Sequence, residues 1–300
     1  MSVPVAHPAI GAAGSLRRIV ALLLLSGVVT AVCATEAEER IVRVPVQIHD
    51  ATGKALAQDI VVTVFEEPGR ASYPLLVLSH GRPPASGRAG LNRVRYSQAA
   101  RFFATLGFSV WVPTRVGYGV SGTAIDAEYA GPCSNRNFAR SFGIAADQVE
   151  QVIDRARREP RIDARRIVVV GQSYGGATSI AVAARNLPGV VAAINFAGGG
   201  GGNPEVHPGD PCSASISTAT FGGYGHNTRV PTLWIYTEND LYFGPRHSEA
   251  WFAAFRANGG SGTFKLLPVF ADNGHLLFTR GFDIWAPLVR DFLAQQGFRG

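Results

Sequence analysis

The sequence predicts an α/β domain: a mostly parallel central sheet with helices on both faces and an antiparallel hairpin at its N-terminal edge. Three observations carry this. Apolar runs such as Pro74–Ser79 and Ile167–Val170 lack the polar alternation of a half-exposed strand, so each is covered on both faces. These runs alternate along the chain with segments of helical periodicity, the order that builds βαβ units with right-handed crossovers. And the hexapeptide Gly171-Gln172-Ser173-Tyr174-Gly175-Gly176 sits where one such strand meets one such helix.

In order, Arg40–Ile48 alternates at Ile41, Val42, Val44, Val46 and Ile48 and reads as a strand, and Asp59–Glu66 as its hairpin partner across a turn containing Gly53. Pro74–Ser79 is the first buried strand. Tyr96–Leu106 has helical spacing at Ala99, Ala100, Phe103 and Leu106, and Phe108–Pro113 is the next strand. Residues 117–142 are Gly-rich and read as irregular. Ile144–Arg158 is amphipathic, with Ile144, Ala145, Val149, Val152 and Ile153 on its apolar side. After Ile167–Val170 and a helix over 177–184 come strands at Val190–Phe196, Pro231–Thr237 and Thr263–Val269, with helices at Arg246–Asn258 and Phe282–Gln295. Gly198–Gly202 is followed by neither Gly-Lys-Ser/Thr nor a helix start, which argues against a phosphate loop. It reads as a flexible loop at the carboxyl edge of the sheet.

Composition fits one folded domain with ample core: 46% of the 300 residues are hydrophobic and 17% charged. The formal charge is +6, and of the 28 basic residues all but Lys54 and Lys265 are Arg. They are scattered, with no basic stripe or interleaved aromatics, so nucleic acid is not an expected partner.

Residues 1–34 resemble a secretory signal peptide. Arg17-Arg18 precede the apolar segment Ile19–Val32, and Val32-Cys33-Ala34 offers small residues for cleavage. Those 14 apolar-segment residues are short for a membrane span, and Val32 before Cys33 argues against lipoprotein processing. Export, cleavage and no stable membrane association afterwards are expected, leaving residues 35–300 as one domain. Cleavage removes Cys33 and leaves Cys133 and Cys212, an even pair in an oxidising compartment, so a disulfide is expected.

Gly-x-Ser-x-Gly between a strand and a helix is a nucleophile elbow. A serine held in a strained backbone conformation needs neighbours without side chains two positions to either side. A serine hydroxyl also needs a base within reach and a group that orients that base. In this architecture the chain order is serine, acid, histidine. Asp240 lies just past the strand ending at Thr237, and His275 follows the last strand, so Ser173, Asp240 and His275 are the expected catalytic group. Glu238 is the alternative acid; Asp272 sits beside the base and not at the neighbouring strand's end. His207, His226 and His247 lack a strand-end position. A zinc site from His207, Asp210 and Cys212 matches no common ligand spacing, so no metal is expected. The backbone N–H of Tyr174 is one expected oxyanion donor. The second is expected from the loop carrying His80-Gly81-Arg82, with Arg82 N–H first and Gly81 second.

Leu78-Ser79-His80-Gly81, the elbow, Asp240 and Gly274-His275 together resemble the α/β-hydrolases, in the dienelactone-hydrolase-like branch that neighbours the prolyl-oligopeptidase-type catalytic domains. The resemblance covers roughly residues 60–296. It implies the α/β-hydrolase fold and no cofactor. The dienelactone hydrolases proper carry Cys at the elbow, and here Ser173 points to general ester hydrolysis. Asp at the elbow, which a dehalogenase needs, is absent.

The resemblance therefore implies a secreted serine hydrolase acting on small-molecule carboxylic esters. Only about 40 residues precede the catalytic region, which disfavours a peptidase of the prolyl-oligopeptidase type with its propeller. A complete set of three catalytic residues disfavours a non-catalytic binding protein on the same scaffold. Pocket walls are expected from two loop caps, 117–142 and 198–228, and from the loop after His80. Tyr118, Tyr129, Phe138, Phe221 and Tyr224 are available there. A Cys133–Cys212 bond is expected to clamp those caps over the site, so that reduction alters activity before the core unfolds.

Overall fold

Eight strands form one sheet in the order β1-β2-β4-β3-β5-β6-β7-β8. The computed structural model describes residues 36–122 and 125–299, all within the unit Thr35–Gly300, so the expected signal peptide lies outside the described residues. The strands are β1 (Glu38–His49), β2 (Ala55–Glu66), β3 (Tyr73–Ser79), β4 (Ser109–Thr114), β5 (Ile162–Gln172), β6 (Val190–Phe196), β7 (Thr232–Thr237) and β8 (Gly262–Leu267). The helices are α1 (Ser97–Thr105), α2 (Phe138–Ala156), α3 (Tyr174–Ala183), α4 (Ala214–Asn227), α5 (Pro245–Ala257), the single turn α6 (Leu277–Arg280) and α7 (Phe282–Gln295). β1 and β2 pair antiparallel, β2 pairs antiparallel with β4, and every neighbour from β4 through β8 is parallel.

The unalternated strands have the expected cause. In β3, Leu75 and Val77 enter one core layer while Leu76 and Leu78 enter the other; Ile167 and Val169 of β5 divide from Val168 and Val170 in the same way. One layer lies under α2–α5 and the other under α1 and α7. The hairpin turn is built on Asp50, whose Oδ1 accepts from Thr52 N (2.8 Å), Thr52 Oγ1 (2.6 Å) and Lys54 N (2.9 Å).

Three expectations need correction. The amphipathic helix α2 begins at Phe138, six residues before the expected start at Ile144, because Asn137 caps it by accepting from Arg140 N at 3.0 Å. Gly143 interrupts the pattern that Phe138, Ser141 and Phe142 begin, which hid this first part from the periodicity.

The expected cap 198–228 is not all loop, since α4 occupies most of its second half. α4 is rich in Ser, Thr and Gly, poor helix formers, and tertiary contact overrides that preference. Gly225 approaches the backbone of Phe255 in α5 closely enough to exclude any Cβ, and Phe221 packs on Trp234 and Trp251.

Nor is Gly198–Gly202 a flexible loop. Gly198–Gly200 are buried, and a Cβ would fall 2.7 Å from the Trp251 ring at Gly199 and 2.6 Å from the Phe138 ring at Gly200. The glycines let aromatic rings press against the backbone; they are a packing surface. Among the described residues no helix is long and apolar enough to cross a membrane.

Candidate active site

Ser173 stands between β5 and α3 with φ 57° and ψ −124°, a strained conformation for any residue but glycine. Ser173 N donates to Phe196 O (2.8 Å), and Ser173 O accepts from Gly176 N (2.8 Å), which pins the turn. A Cβ at Gly171 would strike the backbone of Gly175, and one at Gly175 would strike the carbonyls of Ser79 and His80. The two glycines flanking Ser173 are therefore fixed by close backbone approach.

Asp240 and His275 meet as expected. His275 Nδ1 lies 3.0 Å from Asp240 Oδ1 and 2.9 Å from Oδ2. Both residues are buried, at 2% and 4% exposure. Asp240 Oδ1 also accepts from Tyr242 N (2.8 Å) and Phe243 N (3.0 Å), so the carboxylate is held in place independently of the histidine. The imidazole is stacked on Tyr242, with ring centroids 4.2 Å apart, and edge-on to Phe243. The loops carrying acid and base are stitched together by two asparagines. Asn273 Oδ1 accepts from Leu241 N (3.2 Å) and His275 N (3.0 Å); Asn239 Oδ1 accepts from Phe270 N (2.9 Å). Glu238, the alternative acid, is exposed, as is Asp272.

Ser173 and His275 line the same cavity. No hydrogen bond joins their side chains among the described residues, a looseness common in sites without a bound substrate. With Nδ1 turned to Asp240, Nε2 is the ring nitrogen left for the serine.

The loop after β3, expected to carry the second oxyanion donor, is organised by His80. His80 is buried and accepts at Nε2 from Arg115 N (3.2 Å), so its proton is on Nδ1, which lies 2.6 Å from Gly81 O. Burial, then the Arg115 guanidinium, holds its pKa well below the usual imidazole value, so the ring is neutral. His80 thus grips the carbonyl of the Gly81–Arg82 peptide and fixes the plane that carries Arg82 N–H. Gly81 N–H is turned instead toward Tyr96 Oη at 3.4 Å. Among the described residues neither Arg82 N–H nor Tyr174 N–H has a protein acceptor. The Arg82 side chain points away, forked onto Asp126 with Nη1–Oδ1 at 2.8 Å and Nη2–Oδ2 at 2.5 Å. Beneath it Arg115 and Glu128 form an ion pair with both side chains fully buried; Tyr118 Oη donates to Glu128 at 2.6 Å.

The cavity, about 400 Å³, is walled by residues 80–83, Leu91, residues 93–96, Gln172, Tyr242 and Leu276. The loop after His80 contributes as expected, but among the described residues neither 117–142 nor 198–228 does, which corrects those two walls. Tyr118, Phe138 and Phe221 are spent in the core and Tyr129 is exposed. Nothing in the periodicity of 91–96 singles out which residues of that loop form the wall. Cys133 and Cys212 are joined, with Cα atoms 5.1 Å apart, but the bond ties the chain before α2 to the start of α4 away from that cavity. His207 Nε2 lies 3.7 Å from Cys212 Sγ, yet both sulfurs near it are in the disulfide and unavailable as thiolate ligands. His247 pairs with Asp210 at 2.8 Å and His226 is exposed, both apart from the cavity.

The sheet order, the strained serine after the fifth strand, and the acid and histidine after the seventh and eighth are the arrangement of the α/β-hydrolase fold. A family model for serine aminopeptidases (S33) matches residues 74–222, a segment that includes Ser173 but ends before Asp240 and His275. Among solved structures, an acylaminoacyl peptidase from Pyrococcus horikoshii is similar at 14% identity and TM-score 0.61, covering 86% of this chain and 41% of that one. A dienelactone hydrolase-like promiscuous phosphotriesterase from metagenomic libraries is similar at 17% identity and TM-score 0.52, covering 87% and 99%. An acetyl ester-xyloside bifunctional hydrolase from Caldicellulosiruptor lactoaceticus is similar at 15% identity and TM-score 0.55, covering 81% and 90%. The chain thus spans about two fifths of the peptidase's length. No curated protein matches it by sequence. The chain has the α/β-hydrolase fold, which it shares with dienelactone hydrolase-like proteins and with the acylaminoacyl peptidase.

Proposed function

We propose that this chain hydrolyses carboxylic esters through an acyl-enzyme on Ser173. The observation that carries the reading is the buried Asp240–His275 pair opening onto the cavity that Ser173 lines. Ser173 Oγ attacks the acyl carbon while His275 Nε2 takes its proton. Asp240 keeps the proton on Nδ1 and stabilises the imidazolium that forms. The oxyanion is met by Tyr174 N–H and Arg82 N–H, the first at the N-terminus of α3, where the helix dipole adds to the hydrogen bond. The imidazolium then protonates the departing alcohol, and a water activated by the same nitrogen releases the acid.

Export is part of the proposal. A disulfide forms and persists in an oxidising compartment, and Cys133–Cys212 supports one here.

Hydrolysis of peptide or amide bonds is the second reading, favoured by the serine aminopeptidase match and the acylaminoacyl peptidase likeness. Ester and amide share the machinery above and differ in the leaving group, so p-nitrophenyl esters assayed beside p-nitroanilides separate them. Turnover of short-chain esters with little anilide cleavage is expected. Efficient anilide hydrolysis without ester preference would replace the first reading by the second. A folded protein that neither fluorophosphonate nor ester modifies would be a binding module on this scaffold.

A further inference from the structure

We infer that the substrate carries a carboxylate, received by Arg93 and Arg95 on the cavity wall; the inference rests on the esterase reading and names its substrate class. Arg82, Arg93 and Arg95 are among the residues of that wall, and among the described residues no Asp or Glu lines it. Cations on a wall matter only if they are not already neutralised, so each must be counted against its partner. Arg82 and Arg88 share Asp126, with Arg88 Nη1 3.0 Å from Oδ1. Arg115 is matched by Glu128. Arg93 and Arg95 share Glu39, Arg93 Nη1 at 2.6 Å and Arg95 Nε at 3.0 Å from Oε1, with Arg95 Nη2 on Oε2. Arg93 and Arg95 on the wall therefore share the single carboxylate of Glu39, which leaves that pair with one positive charge more than its partner.

Two further anions stand near the cavity at Tyr242: Asp240, fully enclosed with its oxygens committed to His275, Tyr242 N and Phe243 N, and the exposed Glu205. The side chains of Arg93 and Arg95 are 25% and 45% exposed; Arg95 is forked onto Glu39 as Arg82 is onto Asp126, whereas Arg93 reaches Glu39 through one nitrogen only. Arg93 gives Nη1 to Glu39 and to Thr63 Oγ1 (2.9 Å), and among the described residues its Nε and Nη2 make no hydrogen bond. A planar guanidinium edge with free donors matches a carboxylate better than any neutral group. Residues 93–96 and Ser173 share one cavity, so an ester bound for attack brings its far end within reach of this pair.

The test uses the full chain bearing Ser173→Ala, which binds without turnover and so is decided independently of any ester assay. Calorimetry compares monomethyl glutarate, a monoanion, with dimethyl glutarate, its neutral counterpart. At low salt the monoanion is expected to bind roughly 5–20-fold more tightly, the advantage shrinking at high ionic strength. Adding Arg93→Gln and Arg95→Gln together should remove the advantage, and Glu39→Gln, which unmasks another positive charge, should widen it. Equal affinity for the two esters, or a preference that survives loss of both arginines, would overturn the inference.

Discussion

His275 Nδ1 sits 2.9 Å from Asp240 Oδ2, and Asp240 is held in turn by the backbone N–H groups of Tyr242 and Phe243. The acid is thus fixed before the base is, so its removal should change the chemistry more than the fold. Asp240→Asn should lower kcat by roughly 10³–10⁴-fold, because the neutral amide favours the wrong histidine tautomer. Glu238→Gln, at the exposed position two residues earlier, should stay within about twofold of the unchanged protein. Steady-state kinetics on the two variants distinguish the acids.

The strain at Ser173 makes a stability prediction of opposite sign to its catalytic one. Its φ of 57° costs a residue with a Cβ and costs glycine little. Ser173→Gly should abolish ester turnover yet raise the unfolding free energy by about 1 kcal/mol, measured by urea denaturation. By contrast Gly175→Ala, whose methyl would meet the Ser79 carbonyl, should destabilise by about 2–4 kcal/mol.

His80 supplies a pH dependence. Its folded pKa is depressed by burial and by Arg115, while in the unfolded chain it titrates near the ordinary 6.5. The unfolded state therefore takes up the proton first. Stability from this group is present above about pH 6.5 and is lost as pH falls toward the lower folded value. Tm should decline on acidification through that window, and His80→Gln should flatten the decline. The same variant frees the Gly81 carbonyl, so kcat should fall by about 10–10²-fold with KM little changed.

The disulfide closes a sequence separation of 79 residues and lies off the cavity. Paired replacement of Cys133 and Cys212 by Ala should cost about 4 kcal/mol in the chain-entropy picture, while ester kinetics at 25 °C stay within about twofold. Thermal melts and kinetics on one preparation check both halves. A large loss of activity from a still-folded variant would restore the clamp that the cavity's position argues against.

Much of the sheet was legible because its residues carry local signals: β3 and β5 as unbroken apolar runs, β1 and β2 as alternating ones, and the elbow as glycines flanking one serine. The meeting of Asp240 and His275 was legible for a related reason. Asp240 and His275 follow strand ends, and parallel strands bring their carboxyl ends to one edge. The cavity wall was legible only in part, in the expectation that the loop after His80 would contribute. Arg93, Arg95 and Tyr96 meet Ser173 through folding of the loop after β3, which has no period to read. α4 was hidden because its stability comes from Gly222 and Gly225 letting α5 approach, a property of the pair. The same holds for Gly198–Gly202, whose meaning depends on Phe138 and Trp251 from distant helices.

The most direct test is mass spectrometry of the intact chain after a fluorophosphonate, with the labelled peptide sequenced. A single adduct on Ser173, formed slowly in His275→Ala and absent in Ser173→Ala, is the predicted result. Labelling at another residue, or none in a folded protein that turns over p-nitrophenyl esters, would contradict the acyl-enzyme account.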